Sequence, residues 1–127
     1  MTDYETGMRT RREVLGDAHV DRATAAAGEF GQPFQELITS YAWGAVWSRP
    51  GLDRRMRSAI TLAALVAVRA ENELGMHVRA ALGNGLSAEE IGEVLLHSAV
   101  YAGVPAANAA FAVAQRVLTE EGMLPGP

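Results

Sequence analysis

Apolar residues return at helical spacing along almost the whole chain. Val14, Leu15, Ala18 and Ala23 mark a first helix over about residues 9–27, with Gly16 as its weak point, and residues 1–8 are expected to fray. Gly31 to Pro33 punctuate the chain. A stripe of Phe34, Leu37, Ile38, Tyr41, Ala42 and Ala45 then predicts a helix over 34–47 whose aromatics belong to the core. Ser48-Arg49-Pro50-Gly51 reads as a loop, because Pro50 disfavours helical geometry at Arg49 and Pro-Gly suits a tight turn. Behind Asp53, as a cap, a third helix covers 54–68. Helices follow over about 71–82, 88–102 and 106–121, with Pro105 suiting the entry to the last and 122–127 left as a flexible tail. Strand signals are nearly absent. The pattern predicts an all-α fold: a single domain over 1–127, a helical bundle of about six helices.

Two of these helices carry the chemistry. Glu73 and His77 stand four residues apart on one helical face, and so do His97 and Tyr101. Between the pairs, Gly83-Asn84-Gly85 makes a turn and Ser87-Ala88-Glu89-Glu90 reads as a capping box, the Ser87 hydroxyl accepting from a first-turn amide while Glu90 reaches back. So short a connection is expected to pack the two helices antiparallel and to bring Glu73, His77, His97 and Tyr101 to one pocket. Taken alone, each pair also fits a structural helix contact of a few tenths of a kcal/mol, roughly.

Composition narrows the chemistry. A net charge of −4 gives no broad basic surface for nucleic acid. Cysteine is absent, which excludes disulfides, thiolate catalysis and cysteine-bound zinc. All eleven basic residues are arginine, so there is no lysine for Schiff-base chemistry or for anchoring pyridoxal phosphate. The N-terminus lacks the apolar core of a signal peptide, and no apolar run is long enough to span a bilayer. A soluble cytoplasmic protein is expected.

Other residues stand out singly. His19, between Asp17 and Asp21, reads as a surface group. Trp43 and Trp47 are four apart beside the Pro-Gly loop and fit either packing or a pocket wall. Arg54, Arg55 and Arg57 crowd the first turn of the third helix, where cations oppose the macrodipole. With Arg49 just before, they call for an anionic partner, either acidic residues or a carboxylated ligand gripped bidentately. Asn108, among alanines, is expected to be a buried amide that needs partners.

Four stretches together, REVLGDAHVDRA, YAWGAVWSRPGLDRRMRS, ENELGMHVRAALGNGLSAEEIGEVLLH and AVYAGVPAANAAFAVA, resemble the gamma-carboxymuconolactone decarboxylase family of the alkylhydroperoxidase D-like superfamily, over about residues 11–118. The run from His97 to Phe111 and the WSRPGLDRR segment are its most specific parts. The resemblance implies an alkylhydroperoxidase D-like fold assembled as a homo-oligomer, a hexamer or trimer. The superfamily's redox branch uses CxxCxxxH with an upstream glutamate; here the corresponding places hold Ala70, Glu73 and His77, with Ser58 for the glutamate, so peroxidase activity is not implied.

The substrate so implied is an unsaturated dicarboxylate lactone of protocatechuate catabolism, decarboxylated to the beta-ketoadipate enol-lactone without metal or organic cofactor. On this reading His77 is the general acid, Glu73 orients it or shares its proton, and His97, Tyr101 or Asn108 stabilise the oxyanion. Arg49, Arg54 or Arg55, with Trp47 nearby, take the substrate's arm carboxylate. The competing readings are a cofactor-free enzyme acting on another lactone or keto acid, and a non-catalytic helical binding or assembly protein.

Overall fold

Two glycines decide how the first fifty residues fold. The computed structural model describes residues 2–126. Helix α1 (Asp3–Leu15) starts where the Thr2 hydroxyl accepts from the Glu5 amide at 3.1 Å, with Asp3 and Glu5 in its positive first turn. Residues 3–8, expected as a frayed tail, therefore form the opening turns of a capped helix. Gly16, at φ 90°, ends α1, and α2 (Asp17–Ile38) leaves in a new direction, so the single helix expected over 9–27 is two. Arg12 staples the break by pairing with Asp17 at 3.1 Å and Asp21 at 2.9 Å.

The second glycine is Gly28, whose φ 58°, ψ −161° is open only to a residue without a Cβ; it bends α2 in mid-course. The interruption expected at Gly31–Pro33 thus falls earlier, and Pro33 lies inside the helix that resumes. Residues Thr39–Trp47 continue as a π-helix. Against this segment α1 packs backbone to backbone: a Cβ on Gly7 would overlap the Thr39 carbonyl, and one on Gly44 would overlap the carbonyl of Asp3. Phe34, Leu37 and Tyr41, expected in the core, are exposed instead, because the buried face of this stretch is the one that carries Thr39, Trp43 and Gly44 towards α1.

The chain divides into two compact units, Met1–Asp53 and Arg54–Pro127. The second contains α3 (Arg54–Ala67), α4 (Glu71–Gly83), α5 (Ala88–Ala102) and α6 (Val104–Glu120), close to the bounds the periodicity predicts. Their arrangement differs from the expected hairpin. Both α4 and α5 pack on α3 and on α6, and they barely touch each other. The core explains why: Leu74, Val78 and Ala81 of α4 and Ile91 and Leu95 of α5 are buried in one cluster with Leu62 and Val66 of α3 and Ala110, Val113 and Val117 of α6. The connecting turn is anchored by buried Leu86 and by the Asn84 amide donating to the buried Ser58 hydroxyl of α3 at 2.8 Å.

The capping box is as expected, with Glu90 N–H donating to Ser87 Oγ at 3.0 Å and Ser87 N–H to Glu90 Oε1 at 2.9 Å. The same Glu90 carboxylate is gripped by both terminal nitrogens of Arg55 on α3, which also donates to the Gly85 carbonyl. No helix among the described residues is long and apolar enough to cross a membrane.

Two outcomes follow from this unit. Arg69 closes α3 in the left-handed region (φ 61°), with Ala70 N–H donating to the Leu65 carbonyl at 3.0 Å. Glycine suits such a position better, so Arg69→Gly is expected to stabilise the protein by up to about 1 kcal/mol in urea unfolding, even though it removes the exposed Arg69–Glu71 pair. Arg55, seconded by the capping bonds, pushes the Glu90 carboxyl down to about 2 from 4.5. Its folded pKa is depressed, so the contribution of this tether is complete above the ordinary carboxylate range and is lost as pH falls towards 2. In a carboxyl NMR titration Glu90 should have its midpoint near 2, and Arg55→Ala should return it most of the way to 4.5.

Candidate active site

Helix α4 begins at Ala70, which offers no side-chain cap; its positive end is met instead by Glu71 and Glu73 in the first turn. Arg69 holds Glu71 at 3.1 Å. Glu73 faces solvent. One turn on, His77 is 8% exposed and is the only histidine in the buried class among the described residues. It shares the buried face of α4 with Leu74, Val78, Ala80 and Ala81, and its Nδ1 is sealed from solvent. The helix is held close against α6 at Gly75, where a Cβ would stand 3.5 Å from Val113 and 3.7 Å from Val117. An inward imidazole with a carboxylate one turn back at the surface can pass a proton between solvent and a sheltered acceptor.

The other predicted residues are distributed differently. His97 and Tyr101 do pair, their ring centroids 5.5 Å apart, yet both are exposed, Tyr101 at 81%. They stand on α5, which shares neighbours with α4 but has little direct contact with it, so the direct hairpin packing from which a single four-residue pocket was expected is not how these helices meet. Asn108 is likewise exposed on α6, not a buried amide; the alanines that bury that helix are Ala106, Ala107 and Ala110. Periodicity marks an apolar helix, but only the packing tells which side of it turns inward.

Among the arginines, Arg55 has its fork engaged by Glu90, so the anionic partner it called for is an acidic residue of the same chain. Arg54 is half-buried and Arg49 exposed. Within the N-terminal unit, Trp47 stacks on buried Trp43 with centroids 4.9 Å apart and planes 30° to each other, which makes the pair at least partly a packing element. The turn behind it is fastened by Ser48, whose hydroxyl donates to the Trp43 carbonyl at 2.6 Å and lies 2.7 Å from the Thr10 hydroxyl. No group of three or more His, Asp or Glu side chains among the described residues is placed to hold a metal ion.

Arg11, not singled out from the sequence, is 3% exposed. The signal was there: it stands three residues before Val14 and seven before Ala18, a charge in line with an apolar stripe.

Comparison with known proteins covers α4 and most of the chain around it. The model of the carboxymuconolactone decarboxylase family matches residues 32–116, which include the π-helical segment, all of α3 to α5 and most of α6. A 4-carboxymuconolactone decarboxylase of Acinetobacter baylyi is 47% identical over 96% of this chain and 91% of its own. A nitrosuccinic acid decarboxylase of Metarhizium robertsii is 44% identical over 92% of this chain and 82% of its own. A 4-carboxymuconolactone decarboxylase of Pseudomonas putida is 54% identical over 32% of this chain and 85% of its own. With a family model that takes in two thirds of the sequence and a relative alike from end to end, the chain belongs to the carboxymuconolactone decarboxylase family.

Proposed function

We propose that the protein is a decarboxylase acting on 4-carboxymuconolactone, releasing CO2 and leaving the enol-lactone. The observation that carries this reading is the 47% identity to a 4-carboxymuconolactone decarboxylase along nearly the whole length of both chains. The chemistry asks little of the protein beyond placement. The substrate has one carboxylate on the ring carbon and another on an acetate arm. When the ring carboxylate leaves as CO2, its electron pair runs through the ring double bond into the lactone carbonyl and gives a dienolate. A proton added to the carbon next to the carbonyl completes the enol-lactone, so one proton is taken up for each CO2 released.

The nitrosuccinic acid decarboxylase fits the same logic. Nitrosuccinic acid is also a dicarboxylic acid, and a nitro group on the carbon that loses CO2 can take the electron pair itself. Relatives with these two substrates share a requirement for a proton donor to carbon and a grip on a second carboxylate. In this chain His77 is the donor and Glu73, one turn back and open to water, reloads it. Leu74 and Met76 beside them limit the access of water. The candidates for the second carboxylate are Arg49, Arg54 and Arg55, the last of which also holds Glu90. His97, Tyr101 and Asn108 are exposed in the single chain, so their part in holding the oxyanion requires that a second copy cover them. Phe30, Phe34, Leu37 and Tyr41, all exposed, likewise support a homo-oligomeric enzyme.

The second reading, a nitro-dicarboxylic acid decarboxylase, rests on the 44% relative. Assaying CO2 release from 4-carboxymuconolactone and from nitrosuccinate, with muconolactone as the control that lacks the ring carboxylate, separates the two. Turnover of the first substrate is expected without added metal and in the presence of chelator. His77→Ala and Glu73→Gln should each lower kcat/KM at least about 100-fold with an unchanged helical circular dichroism spectrum. A near-normal rate in either variant removes that residue from the mechanism.

A further inference from the structure

We propose that the N-terminal unit binds a small monocarboxylate in a cleft between α1 and the bent α2, with the ligand's carboxylate on the guanidinium of Arg11. This inference is independent of the decarboxylase reading. The cleft has a volume of about 360 Å³, room for an acid of several carbons, and Arg11, Gln35 and Thr39 form part of its wall.

Arg11 is the unusual member. Its side chain is almost wholly buried, yet its two hydrogen bonds go to neutral oxygens: Nη1 to Thr39 Oγ1 at 3.1 Å and Nη2 to Gln35 Oε1 at 2.9 Å. The Nε atom is buried with no acceptor. Three of the five N–H bonds of this guanidinium are therefore left over, and no carboxylate of the unit is paired with it. Neutral dipoles do not replace a counter-charge for a cation taken out of water, and a buried arginine without one is costly to the fold. The loss of solvation also lowers the Arg11 pKa from its ordinary value. A carboxylate entering the cleft would supply the missing charge and match the planar fork of donors.

The rim narrows the class of ligand. Glu29 and Glu36 line the same cleft, and Glu36 accepts from Gln32 at 3.1 Å. Neither forms an ion pair with Arg11. Two carboxylates in the lining disfavour a second carboxylate on the ligand, whereas Met8 and Tyr4 in the same lining suit an uncharged tail. The bend at Gly28, itself part of the wall, is what lets α2 curve around this space.

The test uses the full-length protein and butanoate as the probe. Burial should slow exchange of the Arg11 Nε–H enough for its nitrogen–proton NMR signal to be followed, and that signal is expected to shift saturably with butanoate. Butanamide, the same size without the charge, should leave it in place, and succinate should bind at least threefold more weakly than butanoate. Arg11→Met, which keeps the stem and removes the cation, should weaken butanoate binding at least tenfold. An unmoved Arg11 signal, equal binding of butanamide, tighter binding of succinate, or undiminished binding by Arg11→Met would each overturn the proposal. The wild-type titration decides the matter even if Arg11→Met does not fold.

Discussion

The apolar seam along which α3 and α6 each receive both α4 and α5 fixes the candidate groups of the second unit. Burial of a branched side chain such as Leu62, Leu74, Ile91, Leu95 or Val117 contributes about 1.5–3 kcal/mol, and these five come from all four helices. Rotating α4 about its axis would take Leu74 and Val78 out of that seam, so the orientation of the whole helix is set by its apolar residues. His77 is carried inward as a consequence, and Glu73, one turn earlier and displaced around the helix, stays at the surface. On α5 the same seam holds Ile91 and Leu95 and leaves His97 and Tyr101 outside.

Within each unit the buried hydroxyls are settled by short hydrogen bonds. Ser58 accepts from Asn84, Ser98 donates to the Val94 carbonyl at 2.7 Å, and Thr39 donates to the Gln35 carbonyl at the same distance. Such bonds satisfy a hydroxyl without adding charge to the interior. Arg11 and His77 differ, because each brings an ionisable group into the interior. Glu90 shows the opposite use of charge: exposed, it serves the cap of α5 and the grip of Arg55 at once, and so ties the start of one helix to the flank of another.

The helices of the second unit could be read almost to the residue, because their caps and turns are local: Ser87 with Glu90, Gly83 to Gly85, Gly103 and Pro105 act on their immediate neighbours. Their mutual placement could not. A short link suggests adjacent helices, but α4 and α5 had a better use for their apolar faces against α3 and α6 than against each other. Of the candidate site, the burial of His77, the exposure of Tyr101 and Asn108 and the engagement of Arg55 all depend on contacts far apart in sequence. In the first unit the miss at Phe34, Leu37 and Tyr41 has a specific cause. An apolar stripe was assigned to the core by period alone, whereas the backbone contact of Gly7 and Gly44 chose a different face, the one that carries Thr39 and Trp43.

The π-helical stretch Thr39–Trp47 closes wider hydrogen-bonded rings than an α-helix, so it holds more residues per turn than its length would otherwise require. Losing a single residue there would swing the rest of the stretch about the axis by somewhat less than the roughly 100° per residue of an α-helix. The heading of Trp47 and Arg49 is thus encoded in how many residues precede them as much as in which residues those are, and an insertion or deletion in this segment would re-aim both side chains without touching either.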